Sequence, residues 1–312
     1  MMNGVPRPTR SDIRFGPAAA QCAGWLYMPS AQDPPPLVVL GHGLGATREL
    51  RLDAYCERLA DAGIAALAFT YRGFGDSGGI PRQTLSVRRQ LEDWEAALAY
   101  AQTIRGIDTS RVAIWGSSFG GGHAIRVAAR HPELVAAVSQ CPFTDGYASA
   151  RARGIGTALR TVPAMIKDLV AAAKSDDPVT VPVVGSPSSN ALMVAPDALP
   201  GYSALIPAEH KFTNEMTARS AFQVITYRPG RAARQVKVPI LFCVSRADSV
   251  APTAATLKHV RNARLGKIEM FDAGHFDFYV GEHFETVFAS QLAFLRQQFE
   301  RVSGVSDLSD TT

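Results

Sequence analysis

The sequence predicts an α/β fold in which a mostly parallel, twisted sheet is flanked by helices and carries an inserted, mainly helical cap. Continuous apolar runs, typical of strands buried on both faces, alternate along the chain with helix-like segments. The chain has 312 residues, of which 46% are apolar, and this is enough for one large core. The alternation stops between residues 146 and 235, a stretch too long for a connecting loop.

Each element follows from its own pattern, in chain order. A short N-terminal hairpin is expected around residues 12–15 and 24–27. Buried strands are expected at 37–40, 65–71, 112–115, 135–141, 240–244 and 268–271. Helices are expected at 50–62, 86–103, 120–130, 253–262 and 282–301.

The break in this rhythm divides the chain. We expect an α/β core at residues 11–145 and 236–302, a cap at 146–235, and disordered ends at 1–10 and 303–312. Inside the cap, helical pieces at 155–159, 162–174 and 212–221 surround a span rich in proline, glycine and serine at 181–200. Alanines, valines and Met165 favour an apolar lid over the catalytic edge, and a structural lobe without a substrate role is the alternative.

Composition argues against several classes of function. Lys and Arg number 32 against 28 Asp and Glu, and the densest basic stretch, 228–237, has no interleaved aromatic residues, so nucleic-acid binding is not expected. The four cysteines form no C-x-x-C pair and show no zinc spacing, so neither a metal nor another cofactor is expected. Cys141 and Cys243 lie in apolar, strand-like runs and are interpreted as buried free thiols, which fits a reducing compartment. Without a run of about 18 apolar residues, we expect no membrane span and a cytoplasmic protein.

Residues 116–120 match the pattern G-x-S-x-G and lie between a strand-like run and a helix-like one. On such a strand-to-helix turn the central residue, Ser118, adopts a strained backbone and projects its side chain outward. The flanking glycines permit the close approach of strand and helix. The pattern therefore predicts that Ser118, and not Ser117, is a nucleophile.

A serine nucleophile needs a base, and the base needs an orienting carboxylate. Asp248 follows the strand at 240–244, and His275 follows the strand at 268–271, so both are expected at the carboxyl edge of the sheet. The chain order serine, aspartate, histidine is that of α/β-hydrolase sites. Asp145, after the strand at 135–141, is an alternative acid, while Asp76 is expected to cap a loop.

The oxyanion formed by attack on a carbonyl needs preorganised donors. One is expected to be the backbone N–H of Phe119, directly after the nucleophile. The other is expected in the loop 41–45, which reads GHGLG, at the N–H of Leu44. No spacing typical of phosphate-binding loops accompanies these glycines.

With these residues in place, the chain resembles the α/β-hydrolase superfamily over residues 11–301. The strings YRGFGDSGG at 71–79, LSVRRQLED at 85–93 and GHFD at 274–277 are similar to those of the polyketide-transferase-like hydrolases, a group related to dienelactone hydrolases. The cap strings ARS at 218–220 and YRP at 227–229 resemble that group as well. The resemblance implies hydrolysis, or acyl transfer from a carrier-protein thioester to an alcohol.

The sequence thus predicts a serine hydrolase acting on a small-molecule carboxylic ester or thioester with a medium, apolar acyl group. Acyl transfer by the same residues is one alternative, and a non-catalytic ligand-binding relative is another. A serine in place of an aspartate at the nucleophile position argues against dehalogenase or epoxide-hydrolase chemistry. The oligomeric state is left open.

Overall fold

The strands of the protein, in a computed structural model that describes residues 8–309, form a large sheet and a small one. The side chains of residues 155, 157, 158 and 304–309 lie outside that description. The strands are β1 (Thr9–Phe15), β2 (Cys22–Met28), β3 (Leu37–Gly41), β4 (Ala65–Phe69), β5 (Val112–Ser117), β6 (Ala136–Gln140), β7 (Thr180–Val181), β8 (Met216–Thr217), β9 (Ile240–Ala247) and β10 (Gly266–Gly274).

Helices connect most of these strands. They are α1 (Leu52–Asp61), α2 (Val87–Ala101), α3 (Phe119–Ala128), α4 (Gly146–Ala152), α5 (Ile155–Arg160), α6 (Val162–Lys174), α7 (Ala198–Ser203), α8 (Ser220–Thr226), α9 (Thr253–Val260) and α10 (Gly281–Ser309). Three short 3₁₀ turns lie at Ala18–Ala20, Pro229–Gln235 and Asp277–Tyr279.

Within the described residues, the large sheet has eight strands in the order β1-β2-β4-β3-β5-β6-β9-β10. The first hairpin, β1 with β2, is antiparallel, as is the pairing of β2 with β4. All later pairings are parallel. The predicted α/β fold with a mostly parallel sheet is therefore confirmed.

The central strands are apolar on both faces because helices cover both. Every residue of β3 and β4 is buried. One set of helices places Tyr55 of α1 against Trp115 of β5, with the two rings 4.6 Å apart, and Phe284 of α10 edge-on to Tyr55 at 5.0 Å. Another places Trp94 of α2 edge-on to Phe69 of β4 at 5.3 Å. Burial of these rings supplies much of the driving force for folding.

Parallel pairing brings the carboxyl ends of the strands to one edge of the sheet. The loop after β3 begins there at His42, the turn after β5 holds Ser118, and the loop after β9 holds Asp248. His275 follows β10 at the same edge. The topology thus gathers residues that are far apart in sequence.

The segment between β6 and β9 covers this edge. Asp168 of α6 is fully buried and accepts hydrogen bonds from the backbone N–H groups of Val179 and Arg219, which ties three parts of the segment together. Contacts with the core include Tyr202, whose hydroxyl donates to the carbonyl oxygen of Leu44, and Ser220, whose hydroxyl accepts from the N–H of Leu85.

The helix predicted at 212–221 is wrong. Met216 and Thr217 form β8 and pair with β7, and helix α8 begins only at Ser220. The side chain of Asn214 bonds both the N–H and the carbonyl of Val184, which holds this part of the chain extended. Tertiary pairing here overrides local helix propensity.

Both chain ends carry more regular structure than expected. Thr9 and Arg10, which we placed in a disordered segment, pair with Met28 and Tyr27 as the start of β1. Helix α10 continues to Ser309, past the expected end of the core at residue 302. Residues 1–7 and 310–312, also predicted to be disordered, lie outside the described residues.

Candidate active site

The turn at Ser118 is sharp and conformationally strained. Ser118 has φ +55° and ψ −117°, a region that L-residues rarely occupy, and α3 begins at the next residue. The backbone N–H of Ser118 donates to the carbonyl of Gln140, which anchors the turn to β6. A side chain at either flanking glycine would collide with backbone: a Cβ at Gly116 would lie 2.1 Å from the carbonyl oxygen of Gly120. A Cβ at Gly120 would lie 2.4 Å from that of His42.

The two adjacent serines have different environments. Ser117 is fully buried, and its hydroxyl bonds the hydroxyl of Tyr279 and the side-chain amide of Gln140. Ser118 retains 8% exposure and borders two cavities. Of the two, Ser118 borders both cavities, whereas Ser117 borders one of them and its hydroxyl is already hydrogen-bonded to Tyr279 and Gln140.

The structure brings Ser118, His275 and Asp248 into one chain of hydrogen bonds. Ser118 Oγ lies 3.0 Å from His275 Nε2. His275 Nδ1 lies 2.8 Å from Asp248 Oδ2 and 3.0 Å from Oδ1. Both side chains of this hydrogen-bonded pair are almost fully buried. The backbone N–H groups of Val250 and Ala251 donate to Asp248 Oδ1 and fix the carboxylate.

This arrangement sets the proton positions. Asp248 has only acceptors when ionised, so His275 Nδ1 carries a proton and donates it to the carboxylate. His275 Nε2 then has a free lone pair that accepts the Ser118 hydroxyl. Chemically, the three groups are arranged so that the serine can lose its proton to the imidazole as it attacks.

The loop after β3 passes directly over Ser118. A Cβ at Gly43 would lie 3.1 Å from Ser118 Cβ, so a side chain here would press on Ser118 and require it to shift by a few tenths of an ångström. His42 holds the loop: its Nδ1 bonds the carbonyl of Gly43 at 2.9 Å, and its Nε2 accepts from the N–H of Tyr71 at 3.3 Å. Burial lowers the pKa of His42 to about 4, so the ring is neutral at pH 7, as one donor and one acceptor require.

Leu44 and Phe119, the residues predicted to supply the oxyanion donors, both line a cavity that Ser118 borders. Phe119 is the first residue of α3, where backbone N–H groups lack an intrahelical acceptor. Leu44 follows Gly43 and lines both cavities beside Ser118. The hydrogen bond from Tyr202 to the Leu44 carbonyl fixes this peptide from the covering segment.

Asp145, the alternative acid, bonds other residues and not His275. Asp145 caps α4 through the N–H groups of Tyr147 and Ala148, and it pairs with Arg228 and His259. Burial alone raises the pKa of Asp145, but the bonds from Arg228, Ala148 and His259 outweigh this and hold it below its usual value.

Asp76 and Asp272, which also lie in loops after strands, have basic partners as well. Asp76 forms a bidentate salt bridge with Arg48, whose hydrogen bonds lower the Asp76 pKa. Asp272 is exposed and pairs with Arg246. Among the described residues, Asp248 is thus the acid that bonds His275.

Sequence reasoning missed a polar network beneath the turn. Trp115 donates to Gln291 of α10, and Gln291 donates to Gln140 of β6. Gln140 donates to Ser117, which bonds Tyr279 of the turn after His275. These residues come from four distant segments, and only the folded topology brings them together.

Two cavities meet at Ser118. The Phe119 cavity is lined mainly by apolar residues, with one charged residue, Arg153: Leu44, Phe119, Phe143, Gly146, Ser149, Ala150, Arg153, Leu192, Met193, Val194, Ala195, Val224, Ile225, Ser249 and Val250. The His275 cavity is lined by His42, Gly43, Leu44, Ala46, Leu50, Leu52, Ser117, Met193, Tyr202, Leu205, His275, Phe276 and Tyr279.

In the described part of the chain, no cluster of three or more His, Cys, Asp or Glu side chains is arranged to hold a metal ion. His123 is fully buried between Tyr227 and Gln90, and burial lowers its pKa to about 3. None of the helices described is long and apolar enough to cross a membrane.

Comparison with known proteins gives a consistent picture. Residues 32–274 match the model of the family described as serine aminopeptidase, S33. The chain is 44% identical over 296 residues to the quorum-quenching protein AidA of Acinetobacter baumannii, covering 95% of this chain and 97% of that protein. It is 25% identical to the polyketide transferase af380 of Aspergillus fumigatus, covering 89% and 94%.

Solved structures share the fold. The α/β-hydrolase GrgF from Penicillium sp. sh18 superposes with a TM-score of 0.80 at 22% identity, covering 94% of this chain and 99% of that one. Est1E from Butyrivibrio proteoclasticus, with bound ferulic acid, superposes with a TM-score of 0.63 at 17% identity, covering 92% and 99%. At these identities the likeness concerns the fold.

The close packing at the turn predicts a sharp difference between two glycines. Gly116→Ala forces a methyl group into the Gly120 carbonyl, so we expect a loss of about 3 kcal/mol or more in the free energy of unfolding. Gly156→Ala, on exposed α5 where a Cβ meets nothing within 4 Å, should be neutral or gain roughly 0.5–1 kcal/mol. Urea denaturation of both variants measures this, and equal stabilities would contradict the packing described.

Proposed function

We propose that this chain, which belongs to the serine aminopeptidase S33 family of α/β-hydrolases, is a serine hydrolase that cleaves a carboxylic ester or thioester through an acyl-enzyme. The observation that carries the proposal is the hydrogen-bonded chain from Ser118 through His275 to Asp248, with Ser118 open to two largely apolar cavities.

In the proposed first half-reaction, Ser118 Oγ attacks the substrate carbonyl carbon while His275 Nε2 takes the hydroxyl proton. Asp248 holds the imidazole in the required tautomer and stabilises the imidazolium that forms. The N–H groups of Leu44 and Phe119 donate to the oxyanion, an interaction worth about 3 kcal/mol per donor.

Collapse of the tetrahedral intermediate releases the alcohol or thiol, which receives its proton from His275. The leaving group therefore has to sit on the imidazole side, and we assign it to the His275 cavity. The acyl group then occupies the Phe119 cavity. In the second half-reaction His275 activates a water that releases the acid and restores Ser118.

The cavity walls favour esters over peptides. An aminopeptidase has to bind a charged substrate amine, and this requires a carboxylate close to the scissile bond. Among the described residues lining the two cavities, none is Asp or Glu. The proposal of a medium, apolar acyl group rests on residues such as Phe143, Met193 and Val224 in the wall of the Phe119 cavity.

The names of relatives support the same chemistry. A thiohydrolase of Eupenicillium brefeldianum is 22% identical over 88% of this chain. The polyketide transferase relative supports acyl transfer as the second candidate function, in which an alcohol replaces water in the second half-reaction. The two functions share every step up to the acyl-enzyme.

A chain-length series of p-nitrophenyl esters and acyl thioesters, assayed with and without an added alcohol, tests the activity. We expect hydrolysis that is fastest with medium, apolar acyl groups, and the free acid as the main product in both conditions. Diversion of most of the product to a new ester would favour acyl transfer. Failure to cleave any member of the series would contradict the hydrolase proposal.

The assignment of the acid is tested by two matched variants. Asp248→Asn keeps the shape but lets the His275 ring settle in the wrong tautomer, so kcat should fall about 10³–10⁴-fold. Asp145→Asn alters a carboxyl group of similar burial that bonds Arg228 instead, and kcat should stay within about threefold. The reverse ranking, in variants whose thermal unfolding shows them folded, would transfer the role to Asp145.

A further inference from the structure

One basic side chain lies in the apolar wall of the Phe119 cavity. Arg153 is the residue at the C-terminal end of α4 and is partly buried. Its Nη1 donates to the carbonyl oxygen of Leu192, another residue of the same wall. Its Nε is buried and has no hydrogen-bond partner among the described residues. The guanidinium is therefore held in place by the hydrogen bond from Nη1, while the N–H of Nε lacks an acceptor.

The neighbouring arginines of the covering segment differ in this respect. Arg219 pairs with the buried carboxylate of Asp168, and Arg228 pairs with that of Asp145. No described carboxylate offsets the charge of Arg153, and burial lowers its pKa. Burying a cation without a partner costs free energy. A ligand that supplies the missing acceptor in the cavity offsets this cost.

The free edge determines which ligand group fits. With Nη1 bonded to Leu192, the N–H of Nε and one N–H of Nη2 point the same way along the side of the planar guanidinium. Two parallel donors match the two oxygens of a carboxylate, and they also fit one carbonyl oxygen. The rest of the wall, including Val194, Val224 and Ile225, is apolar and suits a hydrocarbon chain.

We propose that the Phe119 cavity binds an acyl chain carrying a second oxygen acceptor besides the scissile carbonyl, and that Arg153 binds this oxygen. The inference rests on the proposed hydrolase function and on the assignment of the acyl group to this cavity. It refines the expectation of a purely apolar acyl group. A carboxylate should bind best because it offsets the arginine charge, followed by a ketone, followed by an unsubstituted chain.

The test uses p-nitrophenyl esters of equal chain length in three forms. These are plain alkanoates, keto-alkanoates, and monoesters of dicarboxylic acids from adipate to sebacate. For at least one chain length, kcat/KM should be about tenfold or more higher for an oxygenated chain than for the plain chain. Arg153→Met should abolish this preference, mainly through KM, so that oxygenated and plain chains of equal length are cleaved with similar kcat/KM.

Arg160→Met is the matched control. Arg160 lies on α5 of the same segment, is exposed, and likewise donates to a backbone carbonyl, that of Pro187. This variant should keep the wild-type preference. If Arg153→Met does not fold, Arg153→Lys serves instead: it keeps the charge but loses the paired edge, so it should retain some preference for the carboxylate and lose that for the ketone.

The outcomes separate this inference from the proposed function. A wild-type enzyme that cleaves plain esters without favouring oxygenated ones overturns the inference alone, as does a preference that persists in Arg153→Met. Failure to cleave any ester would instead count against the hydrolase function.

Discussion

The abrupt reversal of the chain between β5 and α3 is the constraint on which the rest of the site depends. It places Ser118 at a positive φ, a conformation that costs about 1–3 kcal/mol. The same reversal turns the hydroxyl outward and places the N–H of Phe119 at a helix start. Strand and helix come so close that side chains are excluded at Gly116 and Gly120. The sharp turn between β5 and α3 is therefore the origin of both the outward-facing Ser118 hydroxyl and the close packing of strand against helix.

Such strain persists only where the surroundings over-determine it. The polar network below Ser118 supplies this: it joins β5, β6, α10 and the turn after His275 through side chains that are all buried. Because Tyr279 follows His275 by only four residues, the network also fixes the loop that presents the imidazole. The neutral His42 ring does the same for the loop over Ser118.

Much of this arrangement was predictable from local signals. Unalternating apolar runs predicted the buried strands, except that the run at 268–271 lies in the edge strand β10 and is only partly buried. The chain order of Ser118, Asp248 and His275 predicted that they would meet at one sheet edge. What could not be predicted depends on contacts between distant segments. Residues 212–215 are not helical, and Met216 and Thr217 form a strand, because Asn214 and β7 hold them. Arg153 matters because none of the described residues accepts a hydrogen bond from its Nε. Neither fact has a signature in the adjacent sequence.

The central claim is that Ser118 is a nucleophile activated by His275, and a covalent probe tests it most directly. The protein is incubated with a fluorophosphonate, and its intact mass is then measured. The account predicts a single phosphonyl adduct that maps to the peptide containing Ser118 and that is absent from Ser118→Ala. A wild-type protein without an adduct, or an adduct that survives in Ser118→Ala, would contradict it.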